Sequence, residues 1–102
     1  MTPVGEVLRK ALALIEERGW DPLDYDGHSI YGAISRALRP DEEPGAIECF
    51  HPLFDPACNL IEVGIERSDI WAWESERGRT REQVVTALRW AVQRSEDPGV
   101  AR

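Results

Sequence analysis

The segment PVGEVLRKALALIEERG, at positions 3–19, sets the strongest constraint on what this chain folds into. Val4, Val7, Leu8, Ala11, Leu12 and Ile15 recur at three- and four-residue spacing, so in a helix they form one apolar stripe. Thr2 is placed to cap that helix, Pro3 suits its first position and Gly19 suits its end. Trp20 follows, where a residue commonly folds back onto the last turn. A helix with one apolar side needs a partner surface. A chain of 102 residues has room for one domain to supply it.

The rest of the chain reads in the same way. DPLDYDGH is turn chemistry, after which Ser29 caps a second helix with Ile30, Ile34, Ala37 and Leu38 on its buried side and Gly32 off that stripe. RPDEEPG ends it in an exposed loop. Pro52 disfavours helical geometry at His51, so Ala46 to Phe50 forms at most a short turn. Asp55 and Pro56 then read as cap and first residue of a third helix, with Ala57, Leu60, Ile61 and Gly64 on its apolar face. Thr80 and Gln83 form a capping box for the last helix, whose stripe is Val84, Val85, Leu88, Ala91 and Val92. Between these two helices, Trp71 and Trp73 alternate with Ala72, so in an extended segment both rings point the same way. Trp73 is expected to plug the core, and Glu74 and Glu76 to return to solvent. The expectation is an all-α small single-domain bundle of about four helices, with a short extended Trp-containing segment before the last. It covers residues 1–95, with a frayed tail at 96–102.

Charge and composition remove several functions. A net charge of -7 argues against nucleic-acid binding, which needs clustered positive charge. No apolar run approaches a membrane span, and the first helix carries charges throughout, so neither an anchor nor a signal peptide is read and the cytoplasm is the expected location. Charge is also unevenly spread. Asp41 to Glu76 holds ten acids against Arg67, and Arg77 to Arg94 holds five arginines against Glu82. The simplest account packs the basic last helix beside the acidic middle; two patches for partners are the alternative.

Candidate chemistry is sparse. His28, Cys49, His51 and Cys58 have the residue types of a zinc site, but their spacing matches no standard one and no CxxC is present. No metal, cofactor or disulfide is expected, with both cysteines acting as small hydrophobes. No G-x-S-x-G elbow, H-E-x-x-H or Gly-rich phosphate loop occurs. The nearest acid/base cluster is Asp24, Tyr25, Asp26, His28 and Tyr31, at the mouth of the second helix. With Trp73, the side chains of Asp26, His28 and Tyr31 make a candidate small-ligand pocket.

Several short motifs resemble an uncharacterised family of small actinobacterial and phage proteins, classed as a domain of unknown function. LIEERGW at Leu14 to Trp20 is similar to that family's LI…GW helix end, and YGAI at Tyr31 to Ile34 to its second-helix core. Trp73-Glu74-Ser75, Arg79-Thr80 and EQVVTALRWA are similar to its closing WND…RT and last helix. Ser29 stands where the family usually has Cys, and Glu74-Ser75 where it has Asn-Asp, which puts any role of that pair in doubt here. The middle, Pro44 to Ile65, has no matching motif. The resemblance implies the fold and adds little about function.

Trp90 raises the remaining question. It falls about 160° from the middle of the last helix's stripe, with Gln83, Ala87 and Arg94 as neighbours on that outer face. Tryptophan and arginine are enriched at binding hot spots, so these four residues read as an interface for a protein partner or a homodimer. The alternative has the middle segment covering Trp90. Two functions stay open: a non-enzymatic interaction or regulatory module, and a small-ligand or accessory biosynthetic protein using the pocket near Asp26, His28, Tyr31 and Trp73.

Overall fold

A computed structural model describes residues 3–21, 29–38 and 52–96 of the chain. Among them are five helices: α1 (Pro3–Arg18), α2 (Ile30–Leu38), α3 (Phe54–Ile65), α4 (Ile70–Glu74) and α5 (Arg81–Glu96). The architecture is all-α, with no strand among the described residues. It differs from the four-helix expectation at one place: the tryptophan segment is itself a single-turn helix, α4.

Three of the expected caps explain where α1 ends and where α2 and α5 begin, and Thr2 lies outside the described residues. Gly19, at φ +91°, closes α1 by donating its amide to Ile15 O at 2.9 Å, in a backbone conformation that costs glycine nothing. Ser29 Oγ accepts from Gly32 N at 3.0 Å to start α2. Thr80 and Gln83 exchange bonds before α5, with Gln83 N to Thr80 Oγ1 at 3.2 Å and Thr80 N to Gln83 Oε1 at 3.0 Å. α3 starts slightly earlier than Asp55 and Pro56 suggest, with Leu53 at its cap position. Its end is unusual, because Glu66 and not a glycine takes the left-handed conformation at φ 60°.

The apolar stripes meet in one core. α1 lies against α5 and α2, and α3 against α5. Leu8, Ile15, Ile30, Ile34, Ile61, Ile70 and Leu88 are almost entirely removed from water. Each such side chain favours folding by roughly 1.5–3 kcal/mol. Arg9 pairs with Glu96 at 2.8 Å and Glu16 with Arg89 at 2.8 Å, so α1 and α5 run antiparallel. These exposed pairs fix register more than they add stability. The basic last helix does pack beside the acidic middle, through α3, and Arg79 meets Glu76. Arg89 pairs with the Glu16 carboxylate of α1, and Arg81 donates to the Glu16 backbone carbonyl.

No helix among the described residues is long and apolar enough to cross a membrane. α5 continues to Glu96, one residue beyond the expected domain edge, and the rest of the tail lies outside the described residues.

Candidate functional site

α4 is held by its own cap: Asp69 Oδ1 accepts from Ala72 N at 3.0 Å. In a helix, residues two apart point to nearly opposite sides, and residues one, three or four apart can share one. Trp73 therefore turns inward, at 8% exposure, while Trp71 turns outward, at 46%. The core plug expected at Trp73 is present. The shared direction of the two rings is not, because the segment is helical and not extended.

The same geometry overturns the expectation for Glu74. It is 1% exposed, alongside Ile70 and Trp73 on the buried side of α4. Its Oε2 accepts two short bonds, from Trp20 Nε1 and from Ile30 N, both at 2.7 Å. Ile30 is the first residue of α2, so Glu74 satisfies an amide that the helix itself cannot, at the positive end of the helix dipole. One carboxylate thus joins the second residue after α1, the start of α2 and α4. Glu74 Oε1 is buried with no hydrogen-bond partner among the described residues. Burial pushes the carboxyl up to about 7, against the lowering effect of the Trp20 and Ile30 bonds and with Asp21 adding repulsion. A carboxyl in this state exchanges its proton near neutral pH.

Trp73 also faces a groove of about 460 Å³ between α3 and α5. Ala87 and Trp90 of α5 line it from one side and Gly64 and Ile65 of α3 from the other. Gly64 matters because a Cβ there would stand 2.5 Å from Trp90 Cε3, so the indole lies directly on the α3 backbone. Trp90 is consequently half-buried and Ala87 buried, not open on an outer face. The reason is that α5 packs against α1 along one stripe and against α3 along another, so one stripe does not account for all its buried residues. Arginines hold both rings: Arg79 Cζ lies 4.0 Å from the Trp73 ring centroid and Arg94 Cζ 5.3 Å from that of Trp90. Arg79 is further fixed by its Nε bond to Trp73 O at 2.9 Å and its Nη1 bond to Gln83 Oε1 at 3.2 Å.

The sequence candidates therefore regroup. Trp73, Gln83, Ala87 and Trp90 line one groove, and Arg94 sits over the Trp90 ring. Tyr31 stacks on Phe54 at 5.9 Å, its phenol pushed up to about 12 by burial first and then by Cys58, Asp69, Glu62 and Glu74. Asp26 and His28 lie outside the described residues, as do Asp24, Tyr25, Cys49 and His51. Cys58 is a buried thiol on α3, pushed up to about 12 chiefly by burial, which suits a small hydrophobe better than a nucleophile. No group of three or more His, Cys, Asp or Glu suited to a metal occurs among the described residues.

A family model described as a family of unknown function (DUF6197) matches residues 1–94. The chain belongs to the DUF6197 family. The match runs through positions 44–65, where the short motifs alone show no resemblance. No curated protein and no solved structure matches the chain. DUF6197 membership thus agrees with the resemblance and brings no activity with it.

Glu74, Trp20, Gly64 and Arg79 are the site residues that sequence reasoning missed. A signal for Glu74 was present, because Ile70, Trp73 and Glu74 are spaced i, i+3 and i+4 behind Asp69, a good cap.

Proposed function

We propose that this DUF6197 chain is a non-enzymatic protein-interaction module of the cytoplasm, and that the groove between α3 and α5 is its contact surface. One observation carries this reading. In a chain that is 30% charged, Trp73, Ala87, Trp90, Gly64 and Ile65 gather around one concavity, and Glu82 is the one ionised side chain among its described lining residues. Interface cores are depleted in charge and rich in aromatic residues, and binding energy concentrates where such groups fill a pocket. The arginines over the two rings fix their orientation before a partner arrives. A second copy of the chain is the simplest partner, with Gln83, Ala87, Trp90 and Arg94 meeting their equivalents about a two-fold axis.

The test is sedimentation velocity of the parent and of Thr86→Arg, each alone and with host extract. Thr86 is exposed and lines the groove, so arginine there fills the concavity without disturbing the core. Complexes present with the parent and lost with Thr86→Arg support the reading. A Thr86→Arg protein that keeps every complex of the parent removes the groove from function.

A second reading places a small ligand near Asp26, His28, Tyr31 and Trp73. Glu74 favours it: a buried carboxyl with one oxygen that has no hydrogen-bond partner among the described residues. Mass spectrometry of the protein purified from its host under native conditions tests this. A bound compound retained by the parent and lost in Glu74→Gln supports it; a parent that carries nothing contradicts it.

A further inference from the structure

We infer that Glu74 is a proton-operated latch on the α3–α5 groove: the neutral carboxyl keeps α4 seated, and its ionisation loosens that turn and changes the groove. The geometry carries this. α4 is a single turn of five residues, so a displacement at Glu74 is felt at Trp73. Glu74 holds the turn through Oε2, which accepts from Trp20 Nε1 and Ile30 N, while the adjacent Trp73 lines the groove. The carboxyl is 1% exposed, and Oε1 has no hydrogen-bond partner among the described residues. Ionisation spreads charge onto that oxygen, and a buried charge without a donor is costly. Water relieves the cost by reaching Oε1, which the seated turn does not admit. The turn therefore shifts, and Trp73 shifts with it.

The surroundings supply no counter-charge among the described residues. Asp21, after α1, repels the ionised form, and Tyr31 of α2 is itself pushed up in part by Glu74. Cys58 and Glu62 of α3 and Asp69 of the α4 cap act on Tyr31 and not on Glu74. Arg79, packed over Trp73, is committed to Glu76, to Gln83 and to the Trp73 carbonyl. Burial therefore holds the carboxyl up at about 7, and the two states exchange near neutral pH. The latch is closed below that pH and opens as pH rises through it. Its use in the cell rests on the groove being a contact surface. The latch itself is read with no partner present, so the two stand or fall separately.

The test is a pH titration of the full chain, from about pH 5 to about pH 9, followed on the indole N–H resonances by NMR. Trp20 donates to Glu74, so its resonance should move with a midpoint of about 7. Trp73 and Trp90, which both line the groove, should move with the same midpoint. Tyr31 and Cys58, each pushed up to about 12, stay neutral over this range. Glu74→Gln should abolish these transitions. Asp21→Asn, at an exposed position, should keep them and lower their shared midpoint, which carries the test should the glutamine variant fail to fold. The chain's two histidines titrate nearby, so the transitions should survive His28→Asn and His51→Asn. Trp20 moving alone, with Trp73 and Trp90 fixed, would overturn the latch. So would transitions that persist in Glu74→Gln or vanish with a histidine.

Discussion

The indole nitrogen of Trp20 and the carboxylate of Glu74, 54 positions apart in sequence, meet at 2.7 Å. The same oxygen receives the first amide of α2. α4 therefore has two functions: Trp73 faces the α3–α5 groove, and the next residue, Glu74, ties that turn to the end of α1 and the start of α2.

Glu74 gives the fold a pH dependence with a definite sign. Its carboxyl stands at about 7 against an ordinary 4.5, so the folded chain keeps the proton to higher pH than the unfolded chain. The contribution is complete below about pH 4.5 and is lost as pH rises through about 7. Urea unfolding should show roughly 2–3 kcal/mol less stability from this group at about pH 8 than at about pH 5. Glu74→Gln, which cannot ionise, should lack this dependence. Equal slopes in parent and variant would remove the assignment.

The two tryptophans of α4 should separate in stability. Trp73→Ala leaves a core cavity and should cost about 3–5 kcal/mol. Trp71→Ala, at an exposed position, should stay within about 1 kcal/mol of the parent. Denaturant midpoints at constant slope decide the matter, and equal costs would mean that α4 does not orient the rings as described.

Gly64 and Trp90 should be coupled. Gly64→Ala drives a Cβ into the indole and should destabilise by about 1–3 kcal/mol. With Trp90→Ala already present, the same change should become neutral or favourable by up to about 1 kcal/mol, because alanine is the better helix former. A double-mutant cycle measures the difference. Additive effects would show that the ring does not rest on Gly64.

The left-handed end of α3 predicts a gain. Glu66 at φ 60° occupies a conformation that glycine adopts without strain, and it is exposed. Glu66→Gly should stabilise by up to about 1 kcal/mol. A loss in the melting temperature would contradict the geometry.

Local signals made much of the fold legible. The α1 stripe, Gly19, Ser29 and the Thr80–Gln83 box each rest on chemistry within a few residues, and each appears as read. The tryptophan segment carries two patterns: Trp71 and Trp73 share a side at period two, while Ile70, Trp73 and Glu74 share one at helical spacing, and Asp69 as cap decides for the helix. The burial of Glu74 is not legible locally, because carboxylates usually face solvent and its two donors come from distant positions. Trp90 lies off the single stripe that periodicity gives α5, and α3 supplies a second surface that only tertiary packing reveals. The interface candidates are adjacent on α5, but their joining with Trp73 in one groove depends on where α3 lies.

The claim that the α3–α5 groove is the contact surface is tested most directly by photo-crosslinking in the native host from position 86, with benzoylphenylalanine replacing Thr86. Gln93, exposed on the same helix and outside the groove lining, is the matched control. The account predicts one discrete protein adduct from position 86, whether a second copy or another chain, and none from position 93. Adducts of equal yield from both positions, or none from position 86, would contradict it.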